Sequence, residues 1–575
     1  MMTQRRLSAL LALSLALSPV APLAAQDAPA AAREPGPGFA GAYLAGRSAG
    51  VGNDYRAAAS YFTQALARDP HNPRLLDLAL ISEVSLGRFE AAAPLAARLV
   101  QIEQSQLANI VGFVDRIDAK DWDGLIARLR DRQVSPVVDQ LVTAWSQVGA
   151  GRMSEAIAAF DRMAETAPLK PIALMNKALA LASVGDFEGA DTILSGGAGA
   201  ALTPTRRGVV ARAQILSQLD RGAEAEALID QTFGPEADPE ITALRAQLAE
   251  GKPVEFDVVR DATRGIAEVF LNVAGAISDD AGEGHTLVYA RVAQHLAPDL
   301  TEATLLVAQM LDAQGQYDLA VESFRSIPRD SAAWPTAEMG RASALYDSGR
   351  VDAAIEVLEG LARSLPKLAG AQIALGDMLR REERFKEAAQ AYDRGLAELG
   401  APQPPQWPVY FARGIAFERA GDWPKAEADF QQALALEPDQ PAVLNYLGYS
   451  WLERKEHLDE AVAMIRRAVE ARPDDGAITD SLGWGLYRLG RYDEAVPLME
   501  RAVELEPVDP VVNDHLGDVL WAVGRKLEAE FQWRRALSFD PAEVDGKRIR
   551  RKLEVGLDAV LKEEGADPIL RARND

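Results

Sequence analysis

Apolar residues recur along much of the chain with the spacing of amphipathic helices, and the segment from Asp480 to Pro507 shows this most clearly. Its sequence is DSLGWGLYRLGRYDEAVPLMERAVELEP. Apolar positions repeat at helical spacing in two stretches of about 13 residues each. The pattern predicts two helices joined by a short turn.

The same pattern returns every 34 residues, as the step from Gly483 to Gly517 shows. A small residue leads each copy, and alanine, a bulky residue, alanine and proline follow at +12, +16, +19 and +24. After Gly483 these residues are Ala495, Met499, Ala502 and Pro507. After Gly517 they are Ala529, Trp533, Ala536 and Pro541. The copy at Gly448 has one extra residue in its turn, so its later offsets are one larger.

Weaker copies extend the repeat toward the amino terminus. In the second half, the leading positions are Gly414, Gly376, Ala342, Ala308 and Ala274. In the first half, Gly46 leads a clear copy, and weaker copies lie around Leu80, Val114, Ala144, Ala178 and Ala213. The sequence therefore predicts about fourteen helix-turn-helix units.

Each repeated position has a physical reason. The small residues allow the two helices of a pair to approach closely, and the bulky residue at +16 fills space in the core. Proline at +24 ends the second helix because it cannot continue one. A unit this small cannot bury its apolar face alone, so neighbouring units must stack on one another.

These spacings resemble the signature of the tetratricopeptide repeat family. The resemblance covers nearly all of the chain after its first residues and is most specific from Gly376 to Pro541. It implies an all-α, right-handed superhelical solenoid that binds protein partners. In such solenoids the first helix of each unit lines a concave groove, with groove-facing positions at −6, −3, +1, +4 and +5 from the small residue.

The repeat pattern also indicates the organisation of the chain. We expect a signal peptide over residues 1–25, a linker over 26–38 and a degenerate repeat array over 39–232. An irregular connection over 233–264 leads to a second array over 265–542. A capping helix and tail follow over 543–575.

Composition narrows the possible functions. The formal net charge is −24, and the chain contains no cysteine. The negative charge disfavours nucleic acid and anionic membrane surfaces as partners. The absence of cysteine excludes disulfides, thiolate metal sites and a lipid-bearing cysteine. A basic or neutral protein partner is favoured.

The amino-terminal residues have the three parts of a secretory signal. Arg5 and Arg6 precede an apolar run from Leu7 to Leu17, and small residues continue to about Ala25. No later segment is long and apolar enough to span a membrane. We expect a soluble protein of the bacterial periplasm.

Catalytic chemistry is not indicated. The histidines are scattered, without the spacing of a metal site, and we predict no enzyme activity, metal or cofactor. The basic run KRIRRK, Lys547 to Lys552, is interpreted as a solvated face of the closing helix.

The groove-facing positions of the last units carry an unusual concentration of aromatic and acidic residues, which favours partner binding. An alternative is that the aromatic rings pack against an adjacent helix or the terminal helix. The predicted site residues are Asn445, Tyr449, Asp480, Trp484, Tyr487, Asp514, Asp518 and Trp521.

The order of the last repeats also resembles large periplasmic tetratricopeptide proteins of Gram-negative bacteria, among them an adaptor of a carboxyl-terminal processing protease. This resemblance implies a scaffold or adaptor in cell-envelope maintenance or proteolysis, with a periplasmic protease or cell-wall enzyme as partner. The missing lipid-bearing cysteine departs from that adaptor. The alternative function is carbohydrate or peptidoglycan binding, with the groove aromatics stacked on sugar rings.

Overall fold

A computed structural model describes residues 38–131, 134–197, 205–234, 239–277, 283–566 and 568–569. All regular secondary structure in these ranges is helical. The described residues up to Gly112 form one compact unit, and those from Phe113 onward form a second. The predicted signal peptide and residues 26–37 of the predicted linker lie outside the described ranges.

The helices of the first half follow one another at short intervals. They are α1 Phe39–Val51, α2 Tyr55–Leu66, α3 Pro73–Ser85, α4 Phe89–Leu99, α5 Gln106–Asp118, α6 Trp122–Asp131, α7 Pro136–Gly149, α8 Met153–Ala164, α9 Lys170–Ser183, α10 Phe187–Leu194, α11 Arg206–Gln218, α12 Gly222–Phe233 and α13 Pro239–Ala249.

The helices of the second half continue the pattern. They are α14 Ala262–Ile277, α15 Glu283–Leu296, α16 Thr301–Ala313, α17 Tyr317–Arg325, α18 Trp334–Asp347, α19 Val351–Ser364, α20 Ala369–Arg381, α21 Phe385–Leu399, α22 Trp407–Arg419, α23 Trp423–Leu436, α24 Pro441–Arg454, α25 Leu458–Ala471, α26 Gly476–Arg488, α27 Tyr492–Leu505, α28 Pro510–Ala522, α29 Lys526–Ser538, α30 Glu543–Val555 and α31 Leu557–Glu563. Two short 3-10 turns cover Ala167–Leu169 and Pro404–Gln406.

Within the described ranges these helices follow one another as fourteen pairs in chain order, α1–α12 and α14–α29, and contacts join the two helices in thirteen of these pairs. This arrangement confirms the predicted all-α solenoid. Helix α13 stands outside the pairing, and α30 and α31 follow the last pair. A proline opens α24 and another opens α28, where the missing N–H costs no hydrogen bond. Asp509 caps α28 by accepting from the N–H groups of Val511 and Val512.

The leading glycines mark close contacts inside the pairs, as the spacing predicts. A Cβ atom added to Gly483 would lie 2.3 Å from the sulfur of Met499, and one added to Gly517 would lie 2.4 Å from the Trp533 ring. The bulky residue at +16 therefore packs on the glycine of its own pair.

Thirteen of the fourteen turns inside the pairs lie in the described ranges, and each contains a residue with positive φ, at +7 from the leading position except for Lys120, at +6 from Val114. The sequence analysis missed this feature. Glycine occupies this position in eight of the thirteen described turns, for example Gly524 with a φ of 87°. The other five turns use Asn53, Lys120, Asp220, Glu383 and Lys455. The extra residue in the Gly448 unit brings a second left-handed residue, His457.

The interval 233–264, expected to be irregular, contains helix α13 and then a non-helical stretch up to Asp261. Helix α14 packs against α7: a Cβ atom added to Gly265 would lie 2.4 Å from the Trp145 ring. The interval lies inside the second compact unit. Among the described residues, each helix is too short or too polar to cross a bilayer.

Candidate binding groove

The predicted site residues lie on three neighbouring helices, α24, α26 and α28, which are the first helices of the Gly448, Gly483 and Gly517 units. Helix α26 contacts both α24 and α28. We call the face that carries the predicted residues the carboxyl-terminal groove. Below it, one apolar core runs through these units and the terminal helices, from Leu396 to Leu557.

Trp484 links the three helices. Its Nε1 donates to Glu453 Oε1 of α24 at 3.1 Å. Its ring stacks on Tyr487, with centroids 4.8 Å apart, and on His515 of α28, with centroids 4.0 Å apart. Only 9% of Trp484 is exposed. The Trp484 side chain therefore connects helices α24, α26 and α28 by hydrogen bonding and ring stacking.

Asp480 is held by the same histidine. His515 Nδ1 lies 3.0 Å from Asp480 Oδ2, and the two side chains are 12% and 9% exposed. Burial alone would lower the pKa of His515, but the carboxylates of Asp480, Asp514 and Asp518 outweigh it and raise this pKa above its usual range. A protonated His515 is the counter-charge of Asp480.

Asp514 and Asp518 share a buried lysine from the terminal helix α30. Lys552 Nζ lies 2.8 Å from Asp514 Oδ2 and 2.6 Å from Asp518 Oδ1. Trp533 Nε1 also donates to Asp518 Oδ1, at 2.9 Å. Burial and the charge of Asp518 raise the pKa of Asp514, although Lys552 opposes the shift. Asp518 is 1% exposed and so faces the protein interior.

This arrangement corrects the interpretation of the basic run in α30 as a solvated face. Lys552 is 1% exposed. Arg548 also turns inward and lies 3.4 Å from Asp518 Oδ2. Lys547, Arg550 and Arg551 remain exposed. Two of the basic residues thus neutralise the groove carboxylates from within the chain.

Trp521 contacts the terminal helices. Its Nε1 donates to Asp558 Oδ2 of α31 at 3.1 Å. A Cβ atom on Gly556 would lie 2.6 Å from its ring, and the ring is 9% exposed. Helices α30 and α31 therefore cover the Gly517 unit of the groove. This agrees with the alternative in which the aromatic rings pack against the terminal helix.

The accessible part of the carboxyl-terminal groove lies on α24 and α26, in the Gly448 and Gly483 units. Tyr449 and Tyr487 are half-buried, Glu453 keeps 45% of its side chain exposed, and Arg488 lies 3.7 Å from Glu453. Burial raises the pKa of both tyrosines above their usual range, so both hydroxyls stay protonated. We call Tyr449, Glu453, Tyr487 and Arg488 the groove patch.

Asn445 lies four residues before Tyr449 on the same helix. It is half-buried, and its Oδ1 is buried without a hydrogen-bond partner in the described ranges. A buried amide oxygen without a partner is uncommon in folded proteins. Because this oxygen is buried, Asn445 does not present it to a partner at the groove patch.

Sequence reasoning missed His515 and Lys552, which hold the groove carboxylates. A signal for Lys552 was available: one more period after Gly517 reaches position 551, so Lys552 occupies the +1 groove position of a fifteenth first helix. His515 sits at −2, outside the groove positions that were considered.

The geometry describes a stack of paired helices with a groove and no assembled catalytic group in the described residues. The sequence model of the tetratricopeptide repeat (TPR) family matches residues 43–106, 141–192, 339–404, 411–476 and 481–543, more than half of the chain. The chain belongs to this family.

Curated relatives share part of the repeat region. A TPR repeat-containing protein of Pseudomonas aeruginosa is 32% identical over 157 residues, 27% of this chain and 26% of that protein. The cytochrome c-type biogenesis protein CycH of Rhizobium meliloti is 36% identical over 103 residues, 18% of this chain and 26% of CycH. The lipoprotein NlpI homolog of Haemophilus influenzae is 37% identical over 86 residues, 15% of this chain and 26% of that protein. Each match spans about a quarter of the relative.

Solved TPR structures align over most of the chain. The complex Cut9–Hcn1 aligns over 90% of this chain and 96% of the matched chain, with 14% identity and a TM-score of 0.37. Yeast Tom70 aligns over 92% of this chain and 98% of its own, with 12% identity and a TM-score of 0.33.

Proposed function

We propose that this protein is a non-enzymatic TPR scaffold or adaptor that binds a protein partner through the carboxyl-terminal groove. The observation that carries the proposal is the groove patch. Tyr449 and Tyr487 are half-buried and partly accessible, whereas Trp484 behind them is fixed by two stacked rings. Tyrosines on a rigid base are effective anchors because little entropy is lost when a partner covers them.

The charges of the groove patch indicate which kind of partner segment it can bind. Asp480, Asp514 and Asp518 are already paired inside the chain, so the exposed acid at the groove is Glu453. Arg488 supplies a neighbouring positive charge. A segment with an apolar or aromatic anchor and a basic residue opposite Glu453 fits this surface.

The proposed setting is the bacterial periplasm, with a role in cell-envelope maintenance or proteolysis. The signal-like residues at the amino terminus and a relative named as a lipoprotein support this setting. The partner would be a periplasmic protease or a cell-wall enzyme, in keeping with the resemblance of the last repeats to a protease adaptor.

The alternative, carbohydrate or peptidoglycan binding, needs free aromatic faces for sugar rings. Trp484 and Trp521 are each 9% exposed. Trp484 stacks on two rings, and Trp521 contacts Asp558, Gly556 and the Lys526 ammonium 4.5 Å from its ring. These contacts favour the protein-binding function.

The test replaces the two accessible tyrosines together, Tyr449→Ala/Tyr487→Ala, and captures partners from periplasmic extract with mass-spectrometric identification. Loss of anchoring aromatics at an interface typically costs about 2 kcal/mol or more, roughly 30-fold in affinity. Trp484→Ala is a poorer choice because removal of a buried tryptophan costs about 3 to 5 kcal/mol of stability.

The matched control is Phe531→Ala, which removes an aromatic side chain that is 66% exposed on α29, the second helix of its pair. Partners retained by this control and lost by the tyrosine variant support the proposal. An unchanged set of captured proteins in the tyrosine variant contradicts it. Co-sedimentation with purified peptidoglycan that depends on the two tyrosines would favour the alternative.

A further inference from the structure

A second set of groove-facing positions lies on the stack of pairs α7–α12. Its first helices are α7, α9 and α11, whose leading positions are Ala144, Ala178 and Ala213. The groove-facing offsets of α11 select Gln214 at +1, Ser217 at +4 and Gln218 at +5. These three polar side chains are the ones that meet a non-helical segment of the same chain.

That segment, residues 252–261, is called the strap. Gln214 Nε2 donates to Asp257 Oδ1 at 2.7 Å, and the Asp257 N–H donates back to Gln214 Oε1 at 3.1 Å. Gln218 Nε2 donates to the Val254 carbonyl at 2.7 Å, and the Val254 N–H donates to Ser217 Oγ at 2.8 Å. Three of these four bonds reach the strap backbone, so α11 holds the strap as a groove holds an extended peptide.

The strap also inserts apolar side chains. Phe256, Val258 and Val259 are buried, whereas Glu255 and Asp257 point outward. The Phe256 ring lies 6.2 Å from the Phe187 ring of α10 in an edge-on arrangement. The strap thus alternates acidic and apolar residues.

Helix α14, which follows the strap, closes the rest of this surface permanently. Ile266 and Phe270 are fully buried. Glu268 forms an ion pair with Arg207 of α11, with one contact of 3.0 Å between Arg207 Nε and Glu268 Oε2. The strap has three buried apolar side chains, but six of its ten residues are exposed and none of them lies in a helix. Segments of this kind open at lower free energy than the helices around them.

We propose that the strap is an internal ligand of the α7–α12 groove, and that an extended acidic and apolar segment of a partner protein competes with it for Gln214, Ser217 and Gln218. The acidic character follows from Asp257, whose carboxylate oxygen Oδ1 accepts a hydrogen bond from Gln214 Nε2 of α11 at 2.7 Å. This surface is separate from the groove patch.

The experiment uses a fluorescent peptide that copies residues 250–262 and the full chain. In the wild type the tethered strap has an effective concentration on the order of millimolar, so added peptide at micromolar concentration cannot displace it. Phe256→Ala/Val259→Ser loosens the strap and leaves the groove intact. We expect this variant to bind the peptide at least about tenfold more tightly than the wild type, and we expect Gln214→Ala in the same background to abolish the gain.

A scrambled peptide controls for non-specific binding. The proposal is overturned if the loosened chain binds no better than the wild type, or if Gln214→Ala leaves binding unchanged. Hydrogen exchange on the wild type gives a second test that needs no folded variant: the strap amides should exchange faster than those of α11 and α14. If the strap amides exchange only together with those of α14, the strap is a fixed part of the hydrophobic core and the proposal is wrong. Neither measurement involves the groove patch, so the proposed function is tested independently.

Discussion

Lys552 is the residue on which the charge balance of the carboxyl-terminal groove depends. Its side chain is fully buried between Asp514 and Asp518. Lys552→Met would remove the buried cation and leave Arg548, 3.4 Å from Asp518 Oδ2, as the remaining basic partner from α30. Removing one partner of a buried ion pair costs about 3 to 5 kcal/mol. We expect a loss of that size in the free energy of unfolding, measured by urea titration.

The neighbouring Arg551 provides the control. Its side chain is 44% exposed, and it pairs with Glu563 and Glu554 at the surface. Arg551→Met should reduce stability far less, because solvent and salt screen such pairs. Equal losses for the two variants would show that burial of Lys552 has no special energetic role.

His515 makes stability depend on pH. Its pKa is raised in the folded protein above the ordinary value of 6.5 by Asp480, Asp514 and Asp518, against the effect of burial. The protonated form therefore stabilises the fold fully below about pH 6.5, and this contribution is lost as pH rises through the raised pKa. Urea titrations between pH 6 and 9 should show falling stability, with a shallower fall in His515→Gln.

Phe531→Ala offers a control, since it removes an exposed side chain that carries no titratable group. This variant should keep the wild-type slope. If His515→Gln keeps that slope as well, the Asp480 pair does not control the pH response.

The predicted site shows where residue-level reasoning from sequence stops. The repeat offsets placed Trp484, Asp518 and Trp521 on the correct helices, because the helical period determines which face a side chain occupies. They could not reveal what covers that face. Lys552 and Asp558 come from helices after the last clear repeat, and their contacts with α28 depend on tertiary packing.

At the scale of the elements, a substitution of the turn residue at +7 tests the effect of backbone geometry alone. A Cβ atom added to Gly524 would meet nothing within 4 Å, yet its φ is 87°. Gly524→Ala should therefore cost about 1 to 2 kcal/mol through the left-handed conformation. Thermal melting should show a smaller loss for Gly524→Asn, because asparagine tolerates this region better. Equal melting of wild type and Gly524→Ala would contradict the assignment.

The repeat spacing predicted the helix pairs more reliably than their connections. Small residues and prolines at fixed offsets mark the helices, so the fourteen pairs follow from the sequence. Three of the left-handed turn positions carry Lys120, Glu383 and Lys455, residue types that do not indicate a turn from the sequence. Helix α13 was missed because it packs against α12 as a single extra helix and so lacks the spacing of a pair.

At the scale of the whole molecule, contacts run mainly between neighbours, so damage should stay local. A chain that ends at Asp540 loses α30 and α31 and exposes Trp521 and the partners of Lys552. Hydrogen exchange should rise in α28 and α29 and stay unchanged in α7–α12, while light scattering detects aggregation through the uncovered apolar face. Unchanged melting with a monomeric product would show that the terminal helices are not a cap.

The contact between α14 and α7 is the long-range feature that the repeat could not predict. Gly265 and Trp145 are 120 residues apart, and a local period carries no information about such a meeting. The sequence of interval 233–264 indicated only that the repeat spacing is interrupted there.

Placement of the strap and α14 directly after α12 also affects synthesis of the chain. Ribosomes add about 5 to 20 residues per second, so residues 234–277 follow α12 within roughly 2 to 9 seconds. During that interval the nascent α7–α12 stack has its Trp145 face uncovered, and a chaperone or another nascent chain could adhere there. The order of these segments along the chain keeps this period of exposure short, because the segment that covers the Trp145 face is translated immediately after α12.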